Sequence, residues 1–177
     1  MKIIIRDERL EDILAIAKLT RAAFQNTDHS SHTEQFIVNA LRTHGQLTIS
    51  LVALENNQLV GHVAISPVTI SSGETGWYGL GPISVLPAKQ GQGIGTLLIR
   101  VALDRLQQLG AQGCVVLGDP QYYGRFGFKA FSELTSRMFH QNTFKSLHLM
   151  DLFHMEKRFT MRHLMRRNNP SKTSYFY

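Results

Sequence analysis

The chain has one cysteine, Cys114, among 177 residues, so an intrachain disulfide is excluded and nothing points to an oxidising compartment. It also lacks any long apolar run. Ile3, Ile4 and Ile5 give way at once to RDERLED, too short for a signal peptide, and no stretch approaches the ~20 apolar residues that span a bilayer. The cytoplasm is the expected location, with no membrane partner. The eight histidines show no zinc-ligand spacing, and no metal is expected. Acidic residues are scarce, 13 against 19 basic ones, leaving a formal charge of +6 that fits an anionic partner or merely a solvated basic surface. Internal repeats and low-complexity linkers are missing too, and with 43% hydrophobic residues one domain with a sizeable core is the default. Cys114 itself sits in the apolar run CVVLG and reads as a buried, inert thiol.

What is present centres on ISVLPAKQGQGIGTLL, Ile83 to Leu98, an apolar strand passing through Pro87 into a glycine-dense turn and an amphipathic helix. A helix start carries unpaired N–H groups and partial positive charge, and a turn without bulky Cβ atoms lets a pyrophosphate reach them. Gly91, Gly93 and Gly95 stand where that approach needs glycine; the plainer alternative is a tight strand-to-helix turn. No Gly-Lys-Ser/Thr follows, which excludes a Walker P-loop. Thr96 at the third glycine position, and the mid-chain location, fit a dinucleotide fingerprint badly.

Around this stretch the pattern alternates between periods. Lys2–Arg6 predicts a strand, and Asp7 is expected to cap a helix with Leu10, Ile13, Leu14, Ala17 and Phe24 on one face. Ser31 and Glu34 form a capping-box pattern before a second helix carrying Phe36, Ile37, Ala40 and Leu41 and ending at Gly45. The link between, Gln25–Ser30, is polar. Thr48–Leu54 and Gln58–Ile70 flank Glu55-Asn56-Asn57 as a hairpin, and Trp77–Leu86 is the strand that enters the glycine turn. The following helix presents Ile94, Leu97, Leu98, Val101, Leu106 and Leu109 and stops at Gly110. Val115, Val116 and Leu117 then read as a strand buried on both faces. This strand–helix–strand crossover implies a parallel pair inside an otherwise antiparallel sheet. One further strand is placed within Phe144–Leu152.

Val85, Pro87, Gln90, Gly93 and Gly95 match the Val-x-Pro-x-x-(Arg/Gln)-x-x-Gly-x-(Gly/Ala) signature, and the chain in this respect resembles the GCN5-related N-acetyltransferases (GNAT). A second motif, LGDPQYYGRFGF from Leu117 to Phe128, with a tyrosine four residues before Gly127-Phe128, resembles the YhbS-like bacterial branch. The likeness covers about residues 1–131. It implies an α/β (α+β) GNAT fold, a mixed and mostly antiparallel central sheet with splayed parallel strands 4 and 5 and flanking helices. It also implies one acetyltransferase domain over residues 1–165, leaving 166–177 as a basic tail, disordered or an altered terminus.

The same resemblance implies acetyl-CoA as co-substrate and direct attack of a primary amine on its thioester. Backbone groups of Ile83, Ser84 and Val85 would hold the pantetheine arm and polarise the carbonyl, and Gln90, Gly91, Gln92, Gly93, Ile94, Gly95 and Thr96 would take the pyrophosphate. Asp119 stands where relatives often carry an asparagine that contacts pantetheine. Tyr123 stands where relatives place a phenol near the thioester sulfur, to protonate the leaving thiolate. Packing of Tyr123 and Tyr122 against Phe126 and Phe128 is the alternative. Arg125 reads equally as a surface charge or a contact to CoA phosphates. No general base is visible. Glu34, His62, Ser66 and Ser84 are residues the topology could bring near a cleft, each with an ordinary local explanation.

The acceptor is expected to be a small-molecule or protein amine, and the oligomeric state is left open, a homodimer being one option. A non-catalytic acyl-CoA-binding module of the same fold is one competing reading. RNA acetylation through Lys157, Arg158, Arg162, Arg166 and Arg167 is another. Phe159, Met161 and Leu164, interleaved with those charges, read rather as an amphipathic helix laid on its own core.

Overall fold

The computed structural model describes residues 2–25, 34–70, 73–130 and 148–152. Two compact units emerge, one of Met1–Ser66 with Leu80–Leu109, the other of Pro67–Gly79 with the described residues from Gly110 onward. In the first, β1 (Ile3–Asp7) pairs antiparallel with β2 (Ile49–Glu55), from Ile3↔Glu55 to Asp7↔Leu51. Next, β2 pairs antiparallel with β3 (Gln58–Pro67). Their link is the expected asparagine turn. Asn56 and Asn57 take φ of +48° and +64°, the left-handed pair whose twist matches a two-residue hairpin, and asparagine tolerates that region better than other residues with a Cβ. The strand ends at Pro67 rather than Ile70, since proline has no N–H to extend a ladder.

Leu51, Val52, Ala53, Val63, Ala64 and Ile65 are all fully buried, because helices cover both faces of this hairpin. On one side Val52 and Ala64 form a cluster with Ile16 of α1 (Ile13–Phe24) and Val38 of α2 (Glu34–Thr43). On the other lies α3 (Ile94–Gln108). A Cβ added to Gly61 would stand 2.9 Å from both Ile94 Cγ2 and Leu98 Cδ1, so glycine on β3 sets how closely α3 approaches. Each buried Leu, Ile or Val contributes about 1.5–3 kcal/mol, so this two-sided hairpin is a large part of the unit's core.

The helices exist where the sequence places them, with different faces inward. Asp7 does not cap α1. It closes β1, and a 3-10 turn, Leu10–Asp12, intervenes. Asp12 accepts from the Arg9 N–H (2.7 Å) and is gripped by both Arg6 terminal nitrogens (2.6 and 3.0 Å). That clamp fixes the phase of α1, so Ile16, Leu19 and Thr20 turn inward while Leu10 and Leu14 are 88% and 75% exposed. In α2, Val38 and Leu41 are inward and Phe36 faces out; Gly45, at φ +66°, closes it as expected. In α3 the inward stripe is Ile94, Leu98, Ala102 and Leu106 at strict intervals of four, with Ile99 and Leu103, which rotates Leu97 and Leu109 into solvent.

In the second unit the start of β4 (Trp77–Val85) pairs in parallel with β5 (Gly113–Gly118) through Trp77↔Gly113, Tyr78↔Cys114 and Gly79↔Val115, and both strands continue past that ladder. This is the parallel pair that the crossover implied. On its other edge β5 pairs antiparallel with β7 (His148–Leu152), and β7 with β6 (Lys129–Ala130), giving the order β4-β5-β7-β6. β7 falls within the expected Phe144–Leu152, whereas the two-residue β6 carries no pattern of its own. Ser31, most of the Gln25–Ser30 link, the Lys157–Leu164 segment, the boundary at 165 and the tail 166–177 lie outside the described residues.

Candidate active site

The glycine turn is built by local rules. After β4, Pro87–Lys89 makes a 3-10 turn closed by the Lys89 N–H on the Leu86 carbonyl (2.7 Å), and the Lys89 ammonium is anchored on Glu55 (2.6 Å) at the end of β2. Gly91 and Gly93 follow at φ of +73° and +84°, where any side chain strains the backbone, and a Cβ at either would meet nothing within 4 Å. Their glycine is demanded by conformation, and it leaves the approach to α3 open. Gly93 is the N-cap and supplies no side-chain bond, and the first amide to turn inward is that of Leu97, on the Gly93 carbonyl at 3.0 Å. The N–H groups of Ile94, Gly95 and Thr96 are thus the orphan donors of a fifteen-residue helix, aligned with its positive end. Ile94, 1% exposed, pins that end to the core.

The neighbouring side chains are spent on holding this shape. Gln90 Nε2 donates to the Val85 carbonyl (3.2 Å) and Gln92 Nε2 to the Ala88 carbonyl (3.3 Å). Ser84 is buried with its hydroxyl donating to Thr20 Oγ1 of α1 (3.3 Å). At Gln92 and Ser84 what remains for a ligand is backbone, while at Gln90 the N–H also turns inward, onto the Pro87 carbonyl (3.3 Å).

In the second unit Asp119 caps α4 (Pro120–Tyr123), its carboxylate accepting from the Gln121 N–H at 2.9 Å, with Pro120 in the first helical position that proline favours. The carboxylate expected at pantetheine therefore has a structural task. The short helix sets Tyr123 back against β5, its ring filling the space where a Cβ on Gly118 would stand. Tyr122 packs edge-on at 4.9 Å and Phe128 at 5.9 Å. Burial, with a smaller contribution from Tyr122, pushes the Tyr123 phenol well above its ordinary value, so it holds its proton at neutral pH and can donate but not accept. Arg125 lies over the Tyr122 ring at 4.4 Å with Nε on the Tyr122 carbonyl. Cys114 is buried and its thiol is pushed up by desolvation, an unreactive thiol as expected.

Of the four residues considered as general base, His62 has the surroundings that sequence reading missed. It is fully buried on β3, and its Nε2 lies 2.8 Å from Ser50 Oγ on β2. Ser50 in turn donates a short hydrogen bond to Glu8, which Arg42 of α2 grips through Nε (2.6 Å) and Nη2 (2.9 Å). Ser50 and His62 belong to neighbouring pairs of one hairpin, Ser50↔Ala64 and Val52↔His62, but these pairs lie beyond a register shift between Ala53 and Leu54. Counting back from Asn56-Asn57 without that shift sets His62 opposite Leu51, on the other face from Ser50, so the sequence does not join them. Glu8 and Arg42 arrive from distant segments and left no signal either. Burial, aided by Arg42, pushes the His62 imidazole down to about 4 against the opposing pull of Glu8 and Asp12, so it is neutral at pH 7. Glu34 and Ser66 are buried as well. Among the described residues no three His, Cys, Asp or Glu side chains gather as a metal site, and no helix is long and apolar enough to cross a membrane.

Comparison with known proteins agrees with this geometry. Residues 13–128 match the acetyltransferase (GNAT) family. The chain is 38% identical over 127 residues to the uncharacterized N-acetyltransferase YhbS of Escherichia coli K12, covering 71% of this chain and 73% of that protein. Among solved structures, a GNAT family acetyltransferase from Brucella melitensis in complex with acetyl-CoA superposes with a TM-score of 0.75 at 46% identity, over 89% of this chain and 92% of that one. E. coli YhbS in complex with CoA gives 0.74 at 34%, over 85% and 81%. A turn with open helix-start amides after a Val-x-Pro strand, followed by a strand, a capped short helix and a buried tyrosine, places this chain in the GNAT family of acetyltransferases.

Proposed function

We propose that the protein is an acetyl-CoA-dependent N-acetyltransferase that passes the acetyl group to a primary amine by direct attack on the thioester. The observation that carries the reading is the uncapped start of α3 behind Gly91 and Gly93, three backbone donors with open space before them. The residues fit the group. The amides from Gly91 to Thr96 take the pyrophosphate, with the Gln90 N–H spent on the Pro87 carbonyl, and the backbone of Ile83, Ser84 and Val85 holds the pantetheine arm and donates to the oxyanion as the carbonyl is attacked. Tyr123, a phenol protonated at neutral pH and more firmly so when buried, supplies the proton to the departing thiolate.

The acceptor in this reading is an amine of a small molecule or protein, and the setting is the cytoplasm. The test is release of free thiol from acetyl-CoA across a panel of primary amines, beside calorimetry with CoA. Amine-dependent release is the expected result. Tight CoA binding with no release for any amine would favour a non-catalytic acyl-CoA sensor, and absence of CoA binding would remove the site from this turn.

A further inference from the structure

Acetylating an ammonium group liberates one proton per turnover, and Tyr123, a neutral phenol before it donates to the thiolate, has no site for it, so that proton needs another way out. Ser50 has one hydroxyl proton and commits it to Glu8, so at the 2.8 Å contact it is His62 Nε2 that carries hydrogen and Ser50 Oγ that accepts. The imidazole is therefore the Nε2–H tautomer, and Nδ1 presents a bare lone pair. That atom is buried and has no hydrogen-bond partner among the described residues. Its position along the sheet is informative. The Leu86 N–H donates to the Val60 carbonyl at 3.0 Å, and two residues inward from that bond on the two strands stand Ser84 and His62. Ser84 belongs to the β4 segment assigned above to the thioester carbonyl. At its other end the chain of hydrogen bonds opens outward, for Glu8 and Ser50 line a groove with Asp7, Arg42, Thr48 and Arg105.

We propose, building on the acetyltransferase reading, that His62, Ser50 and Glu8 form a proton relay that carries the acceptor ammonium's proton from the buried face of the sheet to the solvent groove at Glu8. The ammonium N–H bond breaks and, through water, a proton arrives at His62 Nδ1. The Nε2–H proton passes to Ser50 Oγ, and the Ser50 hydroxyl proton passes to the Glu8 carboxylate, which releases it to water. The amine is left with its lone pair, the imidazole is neutral before and after with its hydrogen moved between nitrogens, and one proton has left; after product release, loss of the Nδ1 hydrogen to water and uptake of one at Nε2 through Ser50 restore the starting tautomer. Arg42 is a positioning residue here: it holds Glu8 with two nitrogens and is itself held by Asn39 Oδ1 at 2.8 Å. Burial raises the Glu8 carboxyl, but the hydrogen bonds from Arg42 and Ser50 outweigh it and keep the group below its ordinary value, so it does not retain the proton. The charged groups acting on His62 are Glu8 just past β1, Asp12 of the 3-10 turn and Arg42 of α2.

The test cuts the middle link. Wild-type thiol release with an amine must be in hand first, and its absence would count against the acetyltransferase reading rather than the relay. With it, Ser50→Ala should lower kcat/KM for the amine at least about tenfold at pH 7 while CoA affinity stays put. The deficit should shrink as pH rises and the amine deprotonates unaided, and Ser50→Thr, which restores the hydroxyl, should recover most of the rate. Should Ser50→Ala not fold, Glu8→Gln is expected to show the same pH-dependent deficit. Wild-type activity in folded Ser50→Ala at pH 7, or a deficit constant across pH that Ser50→Thr leaves in place, would overturn the relay.

Discussion

The glycine turn and the polar network around His62 belong to one compact unit and are built in opposite ways. At the turn the side chains withdraw: Gly91 and Gly93 have none, and Gln90 and Gln92 fold back on local carbonyls, so that backbone amides are what the turn presents. In the network the side chains are everything, since Glu8, Arg42, Ser50 and His62 come from four segments and meet only because β1, β2, β3 and α2 are packed together. A site made of backbone tolerates change in most nearby side chains but not in φ, whereas a site made of converging side chains fails with any one of them. The two should therefore respond differently to substitution, to pH and to ligand.

The largest effect is expected where one hydroxyl is assigned chemistry outright. Tyr123→Phe keeps the ring against Gly118, Tyr122 and Phe128 and removes only the proton donor. Turnover with a confirmed amine should fall roughly 10²–10⁴-fold, the usual worth of general-acid catalysis, with CoA affinity and thermal midpoint nearly unchanged. Tyr122→Phe should be close to neutral. An unaltered turnover number for Tyr123→Phe, with chemistry rate-limiting, would leave the ring as packing and give the proton transfer to water.

Next comes acid. His62 titrates near 4 in the fold and near 6.5 when unfolded, so between those values the unfolded chain binds more protons and stability rises with pH. As pH falls from about 6.5 to about 4 this one group should withdraw about 3 kcal/mol. Glu8, held below its ordinary value, adds its own loss beneath about 4.5. Thermal midpoints followed across that range should drop for the wild type and flatten in His62→Gln. Parallel slopes for the two proteins would show that the imidazole does not carry the transition.

How far the sequence revealed each region follows from the same contrast. The turn was legible because its requirements are local: positive φ calls for glycine, and a strand, a proline and a helix fix the frame around it. The hairpin was legible through Asn56-Asn57, whereas α4, capped by Asp119, was not read from the sequence. What escaped depended on partners distant in sequence. Leu10, Leu14 and Leu97 have helical spacing, yet face solvent, because the Arg6–Asp12 clamp and the four-residue stripe on α3 set the phase of their helices. A register count from Asn56-Asn57 puts Ser50 and His62 on opposite faces, because it misses the shift between Ala53 and Leu54, and nothing short of the packed fold brings Glu8 and Arg42 to them. β6, only two residues long, exists because β7 pairs with it.

The finest discrimination lies within the turn itself. Gly93→Val would weaken CoA binding for two reasons at once, since φ of +84° is strained for any side chain and the valine would also stand before the amides. Gly95 separates these effects, because it lies inside α3, where valine costs well under 1 kcal/mol more than other ordinary residues in propensity. Gly95→Val should therefore fold with a near-native thermal midpoint and yet bind CoA roughly tenfold or more weakly, a loss of about 1.4 kcal/mol read by calorimetry. Gln90→Ala is the counterpart. It removes a 3.2 Å hydrogen bond between exposed, neutral partners, worth about 0.5–1.5 kcal/mol at most, and leaves every amide from Gly91 to Thr96 where it was. CoA affinity should then change by less than about tenfold, and less than in Gly95→Val. If the order is reversed, with the glutamine costing more than the blocked amide, the Gln90 side chain is itself a ligand to the cofactor and the turn is not a backbone site.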